Sequence, residues 1–454
     1  MSFAVRLFKS YFLDERPTGA VIADLDWDFN PKSSIRRLEQ KRFTRSDVFF
    51  YGVQVVFLSM AFYLNPAPFF ARVGAVLLLI GLLLVPVTSQ FFLYGLPILT
   101  WVFFFFSSTT ISPQYRPPIS VKVLPAAETI LYGDNLSQLL ATYTSPVLDI
   151  LAWLPYGIIH FSLPFVVAAL IFLWGPPTSL RSFGFAFGTM NLIGVINQLV
   201  FPAAPPWYKI LHGLDPANYS MLGSPGGLAR IDTLLHLDLY TTNFSKNSPV
   251  VFGAFPSLHS GSATMDALFL SWLFPRGTPL FILYVMWLWW STMYLTHHYF
   301  IDVMAGSFLA VVVFLYTKYT HLPKNDKNAK NRWSYAEISK IDMFREDPLF
   351  VAQDVESSGV VGRARSGSVQ QPRQASMFEM DVLQRQRTPI SASISNNNSN
   401  NATLTPTLEG SESPSPEAPS SVFESDAPFS RSSNTSVTSV ASHFEMGTTK
   451  TRID

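Results

Sequence analysis

His298 and Asp302 stand four residues apart, and His259 follows a Pro256-Ser257 pair earlier in the chain. On a helix, positions four apart share a face. A carboxylate there takes a bond from one imidazole nitrogen, fixes the tautomer and leaves the other nitrogen as a nucleophile. His297 is five residues from Asp302 and points elsewhere, so no chemistry is assigned to it. His259 falls in the first turn after Ser257, a suitable N-cap, where free N–H groups and the helix dipole favour an anion. An imidazole in that place can act as general acid to a leaving alkoxide and then as general base to an incoming alcohol. Two histidines, one oriented by a carboxylate, at a helix-terminal anion site point to phosphoryl transfer through a covalent phosphohistidine. A lone interfacial histidine is ordinarily structural. Here Pro256-Ser257-Leu258-His259-Ser260 and the pattern Ser291-x6-His298-x3-Asp302 occur together and in order, which favours chemistry.

The elements that position these residues are apolar. The chain has 454 residues, 48% of them hydrophobic and only 14% charged, against about 25% charged in soluble domains. Eight apolar segments, at about 48–64, 70–88, 90–107, 154–174, 183–201, 258–274, 278–296 and 299–318, have the length that crosses about 30 Å of hydrocarbon as helix. The stretch 70–107 also fits one re-entrant hairpin. The expectation is therefore an all-α polytopic membrane protein of about eight spans. It divides into an N-terminal segment 1–47, a transmembrane catalytic domain 48–318, and a polar Ser/Asn/Pro-rich tail 319–454, mostly disordered.

Lys and Arg flanks set the orientation. Arg36, Arg37, Lys41, Arg42 and Arg45 before the first span, and Lys318, Lys324, Lys327, Lys330 and Arg332 after the last, put both termini in the cytosol. Arg181 and Arg276 fall on that side too, and Arg72 dissents. The stretch 34–45 reads equally as a basic juxtamembrane segment or as a solvated helix face. The loops 108–153 and 202–257 then face the lumen, and they hold the sequons that begin at Asn135, Asn218 and Asn243. The connection Pro275 to Pro279 is short, so spans six and seven form a hairpin and His259 and His298 share one membrane face. A net charge of +1 excludes nucleic acid binding by bulk charge, and the absence of Cys excludes disulfides and thiol catalysis. In the tail, Arg363-Ala364-Arg365-Ser366 and Arg373-Gln374-Ala375-Ser376 would suit basophilic kinases or belong to an unmodified tether.

These residues resemble the late motifs of the type-2 phosphatidic acid phosphatase (PAP2) superfamily, roughly PSGH and SR-x5-H-x3-D. More closely, FPSLHSG, THHYFIDV, FPAAPPWY (Phe201 to Tyr208) and GSPGGLARID (Gly223 to Asp232) are similar to the fungal inositol phosphorylceramide synthase catalytic subunits, the aureobasidin A targets. The resemblance spans most of the membrane domain. It implies a helical bundle with a six-helix core and a sphingolipid transferase that moves phosphoinositol from phosphatidylinositol to the primary hydroxyl of ceramide, releasing diacylglycerol. It implies that His298 attacks phosphorus, Asp302 orients it and His259 handles the proton, with no metal or other cofactor. Ser257, Ser260 and Ser291 are candidate phosphate contacts. A Golgi membrane, a luminal active site and a small regulatory membrane subunit are further implications.

Two features depart from the superfamily. Its first motif, K-x6-RP, is missing: Arg116-Pro117 has Thr109 where the Lys should be. The Arg expected after Ser291 is Thr292. Both losses remove cations, which suits a phosphodiester donor better than a phosphomonoester. Arg230 and Lys209, near the Gly-rich turn, are candidates to replace the lost clamp; a rim charge is the alternative for each. Phe201 to Tyr208 reads as an interfacial aromatic anchor or as a wall of a lipid pocket. Asp232, His236 and Asp238 have no assigned role. Two other functions stay open: a lipid phosphate phosphatase with water as acceptor, and a non-catalytic transporter or scaffold on the same fold.

Overall fold

The computed structural model describes residues 2–244 and 250–349. Eight helices coincide with the eight apolar segments. They are α1 (Arg45–Leu64), α2 (Phe69–Leu84), α3 (Pro86–Ser107), α5 (Pro146–Trp174), α6 (Ser179–Val200), α9 (Leu258–Leu273), α10 (Thr278–Tyr294) and α11 (Phe300–Thr320). Between them lie α4 (Val123–Tyr132), α7 (Pro206–His212) and α8 (Leu228–Leu235). By length and composition α1, α3, α5, α6 and α11 can cross a membrane; α2, α9 and α10 have 16, 16 and 17 residues. The ambiguous stretch 70–107 forms two helices that meet at Val85, whose N–H closes α2 on Gly81 while Pro86 opens α3.

Six helices share one core. Phe183, Phe187 and Met190 of α6 pack with Met265 and Phe269 of α9, Val167 and Ile171 of α5, and Ala310 and Phe314 of α11. Ile98 and Trp101 of α3 and Phe281 of α10 close round them. Helix α1 lies on α3 outside this core, with most of its surface exposed, and α2 also contacts α3. The anticipated six-helix bundle is thus present; the expectation of disorder in the tail beyond residue 349, and the two basophilic serine motifs, fall outside the described residues.

In lipid the attraction between helices comes from close packing and polar contacts more than from water exclusion. The α9–α11 seam follows that rule. A Cβ on Gly306 would stand 2.0 Å from the Ser257 carbonyl oxygen, so only glycine lets α11 approach the start of α9. Below it, Ser260 Oγ donates to the Val303 carbonyl at 2.6 Å and lies 2.7 Å from Ser307 Oγ. Thr264 Oγ1 is 2.6 Å from the same hydroxyl.

Basic residues gather at the end of the bundle away from His259. Ser182 Oγ at the start of α6 bonds the His321 carbonyl just past α11, which sets Arg181 at that end. Arg72, the dissenting charge, donates Nη1 to the Phe62 carbonyl at 2.9 Å and lies over the Phe62 ring. It caps the negative end of α1, so its place is explained without the cytosol.

The N-terminal segment is anchored to the bundle. Gln90 of α3 exchanges hydrogen bonds with the Asp26 backbone, and Arg37 pairs with Asp26 at 2.5 Å. The helix Pro31–Gln40 has no buried residue, and Thr44 and Asp47 then cap α1 reciprocally. The stretch after α11 also packs: Leu322, Trp333, Tyr335 and Ile341 are buried. Asp347 accepts from Tyr94 at 2.7 Å. A tail beginning at 319 therefore starts inside ordered, packed chain. This packing rests on a few scattered aromatics, which composition averages hide.

Candidate active site

The turn from Tyr294 to Tyr299 carries the second motif. Thr292 closes α10: its carbonyl accepts the N–H groups of His297 at 3.0 Å and His298 at 3.3 Å. Thr296 takes φ +63°, a left-handed conformation unusual for a β-branched residue. Two loop segments hold it. Trp207 N–H donates to the Thr296 carbonyl and Gly227 N–H to the Leu295 carbonyl, both at 3.0 Å. Gly226, at φ +51°, abuts this turn so closely that a Cβ would meet Thr296 Oγ1 at 2.6 Å. The Gly-rich and Pro-rich stretches thus brace the histidine turn.

Glu128 of α4 does the same for the helix that follows. It is fully buried, and its Oε1 accepts the Phe300 N–H at 2.5 Å and the Ile301 N–H at 3.4 Å, two donors of the first turn of α11. Burial pushes its carboxyl above the usual range, against those backbone bonds. The two motifs are also joined directly: Ser257 N–H donates to the Asp302 carbonyl at 3.0 Å.

The imidazoles meet. His259 Nδ1 is 3.1 Å from His298 Nε2. His298 Nδ1 lies 3.3 Å from Asp302 Oδ1, and Asp302 Oδ2 accepts the Tyr299 N–H at 3.0 Å. Aromatic rings set the His259 plane. Tyr156 stacks on it at 4.6 Å between centroids, and the His160 ring is 4.7 Å away. Both come from α5, where a π-helical turn over Leu154–Ile159 follows from Pro155 and re-aims the helix face. Tyr156 also stacks on His297, whose Nε2 is 3.1 Å from the Pro225 carbonyl oxygen, so His297 is spent on the loop.

Two cavities reach the pair. One, of about 700 Å³, lies among α3, α5, α6 and α9 and is lined mostly by aromatic and aliphatic side chains. The other, of about 100 Å³, is walled by Trp207, Gly223, Ser224, Phe244 and His297. His259 and His298 line both. The arrangement offers a nucleophilic nitrogen and an acid–base nitrogen between a lipid-sized apolar chamber and a small chamber of mixed polarity.

The other anticipated residues fall differently. Ser257 is the N-cap of α9, accepting the Ser260 N–H at 3.3 Å, and Ser260 is used in the α9–α11 seam. Ser291 is fully buried, and its Oγ has no partner among the described residues. Arg230 Nε bonds Asp149 Oδ1 at 2.7 Å, its guanidinium lies over Tyr294, and its buried Nη2 has no hydrogen bond among the described residues. Asp149 also accepts from Tyr294 at 2.8 Å, so it fixes both. Lys209 is half-buried on α7 with no ion pair among the described residues. Neither cation lines the two cavities. Arg116 is consumed by the carbonyls of Ser108, Thr109 and Ile111. Asp232 accepts four bonds from Leu239, Tyr240 and Thr241; burial raises its carboxyl, and these bonds together hold it below the usual range. Trp207 and Tyr208 are buried, which favours the pocket-wall reading of that segment over the anchor. Asn135 is buried as well, leaving Asn218 and Asn243 as the exposed sequon residues.

Sequence reasoning missed Glu128, Asp149, Tyr156, His160, Asn191 and Ser262. An ionisable or amide residue inside an apolar run was the available signal for Glu128, Asp149, His160 and Asn191.

Comparison with known proteins agrees with this geometry. The PAP2 superfamily model matches residues 123–316, which contain all three residues of the His–His–Asp group. The chain is 51% identical to the inositol phosphorylceramide synthase of Candida albicans, covering 96% of this chain and 95% of that protein. It is 55% identical to the inositol phosphorylceramide synthase catalytic subunit of Saccharomyces cerevisiae, over 77% of this chain and 87% of that one. The phosphoinositol dihydroceramide synthase of Bacteroides thetaiotaomicron is 31% identical over 46% of this chain and 71% of its own length. No solved structure matches the chain.

Proposed function

Because the chain belongs to the inositol phosphorylceramide synthase family, we propose that it moves phosphoinositol from phosphatidylinositol to the primary hydroxyl of ceramide by double displacement on His298. The observation that carries this reading is the 3.1 Å approach of His259 Nδ1 to His298 Nε2, with Asp302 on the far nitrogen of His298.

Asp302 directs the proton of His298 to Nδ1 and leaves the Nε2 lone pair facing the cavities. Nε2 attacks phosphorus as the bond to the diacylglycerol oxygen breaks, and His259 gives that oxygen its proton. Ceramide follows. Its hydroxyl loses a proton to His259, its oxygen bonds phosphorus, and the N–P bond breaks. No proton is gained or lost over the cycle. In-line displacement puts nucleophile and leaving oxygen on opposite sides of phosphorus, so the entering phosphate parts the two imidazoles.

The large cavity takes the lipid chains and the small one the inositol ring. The N–H groups at the start of α9 face the developing charge. Arg230 Nη2, with Asp149 holding Nε, and the Ser291 hydroxyl are buried without a hydrogen bond among the described residues, but neither side chain lines the two cavities, so a phosphate contact by either requires the site to shift when substrate enters. Lys209, Ser257 and Ser260 do not contact the phosphate directly in this scheme. Basic residues at the opposite end of the bundle support cytosolic termini, eight spans and a luminal reaction centre; residence in a Golgi membrane rests on the family resemblance alone. A small regulatory membrane subunit belongs to the same proposal.

The test is an in vitro assay with phosphatidylinositol and fluorescent ceramide, run beside phosphatidic acid. Wild-type protein should form the inositol-containing product and His298→Ala none. Transfer by the His298→Ala protein, or phosphate release from phosphatidic acid as the main reaction, overturns the proposal.

A further inference from the structure

Helix α6 carries an amide where an apolar residue would be expected. Asn191 is fully buried and lines the large cavity. Its Nδ2 donates to the Phe187 carbonyl at 2.8 Å, one turn back on its own helix. Among the described residues its Oδ1 is met only by Ser262 Oγ at 3.5 Å, the outer limit of a hydrogen bond. Two other buried polar side chains of the bundle are better used: Gln198 donates to the Pro256 carbonyl at 3.1 Å, and Thr100 to the Leu96 carbonyl at 2.9 Å. A carbonyl oxygen left weakly paired in an apolar chamber lowers stability unless something else bonds it.

Position says what that partner is. Ser262 lies three residues beyond His259 on α9, a rise of about 4.5 Å along the helix. Both side chains line the cavity, with Asn191 across from Ser262. An acceptor alcohol whose oxygen sits at His259 therefore places the groups on its second and third carbons at the depth of Asn191 and Ser262. In an N-acylated long-chain amino alcohol those groups are an amide and a hydroxyl, both with protons to donate. In diacylglycerol both corresponding groups are esters, which donate nothing. An amide oxygen bonded by the first lipid is left bare by the second, and a bare buried acceptor discriminates strongly.

We propose that Asn191 and Ser262 form the acceptor subsite: Asn191 Oδ1 takes the amide N–H of ceramide, Ser262 orients that oxygen, and the pair separates the incoming acceptor from the departing diacylglycerol. This rests on the transferase reading above and adds the residues that select its acceptor.

The experiment uses the purified full-length chain and two acceptors, ceramide and its N-methyl analogue, which lacks the amide proton. The readout is the ratio of their kcat/KM values. Wild-type protein should prefer ceramide by about tenfold or more. In Asn191→Leu the ratio should fall to near one, through a raised KM for ceramide. If Asn191→Leu does not fold, Asn191→Ala, with high helix propensity, carries the same comparison. A ratio equal in wild type and variant overturns the subsite, because the methyl group is then rejected by shape alone. Exchange of labelled diacylglycerol into phosphatidylinositol, measured in parallel, separates the two levels. Wild-type protein that exchanges diacylglycerol but makes no product with either acceptor refutes the ceramide transferase reading, and the subsite falls with it.

Discussion

The two ends of the helix bundle are held together by different means. At the histidine end the contacts that matter run through backbone groups. Ser257 N–H meets the Asp302 carbonyl, Trp207 and Gly227 N–H meet the Thr296 and Leu295 carbonyls, and Glu128 takes the first N–H groups of α11. At the opposite end a few backbone bonds, such as Val87 N–H to the Asp28 carbonyl, stand beside more numerous side-chain ties: Arg37 with Asp26, Tyr94 with Asp347, Lys330 with Glu15, and Trp333 against Phe8 and Phe12. A backbone contact fixes position without depending on a rotamer, and double displacement needs its nitrogens held within a fraction of an ångström. The opposite end has only to close the bundle, which side-chain contacts can do, some half-exposed as in Arg37 with Asp26 and some buried as at Asp347 and Trp333.

Substitutions can break or sharpen that contrast. The largest effect belongs to His298→Ala, which should lower kcat by about four orders of magnitude or more in the fluorescent ceramide assay, since the nucleophile is lost. Next is Gly306→Ala. The new Cβ would collide with the Ser257 carbonyl, so α11 must move off α9; kcat should fall by about a hundredfold, with a lower melting temperature in detergent. Glu128→Gln keeps shape but weakens the hold on the first turn of α11. About a tenfold loss in kcat with little change in KM is expected, and an equal loss in both would make Glu128 a mere stability residue. At the other end, Asp347→Ala should lower the melting temperature by a few degrees and leave kcat within about twofold. A chain ending after Leu349 should match wild type in both measurements. If Asp347→Ala proved as damaging as Glu128→Gln, the distinction between the two ends would not hold.

Much of this was readable from residue order. The existence of the eight apolar helices followed from apolar length, and the meeting of His259 and His298 followed from a short connection between α9 and α10. What could not be read was anything decided by long-range contact. Arg230 looked like a free cation, but Asp149, far away in sequence, claims its Nε. Ser257 and Ser260 sat beside His259 in the motif, yet helix capping and the α9–α11 seam absorb their hydroxyls. The Pro-rich segment Phe201 to Tyr208 read as an interfacial anchor or a pocket wall, and the Gly-rich turn only as the neighbour of Arg230 and Lys209. The main work of both segments is to buttress Leu295 and Thr296, because the left-handed Thr296 is disfavoured without outside support. The packing just after α11 was hidden for the opposite reason: Trp333, Tyr335 and Ile341 are too few to shift a local average, yet each finds a buried place.

The single peptide-to-peptide tie between Ser257 and Asp302 has a kinetic corollary. That bond makes the starts of α9 and α11 move as one, so slow motion of the bundle carries both imidazoles together and leaves their separation unchanged. Prising them apart to admit a phosphate then falls to side-chain torsions, which relax in picoseconds to nanoseconds, far faster than helices shift. The catalytic pair can therefore open and reclose many times during one lipid's sideways arrival, and the pace of turnover should track bilayer viscosity.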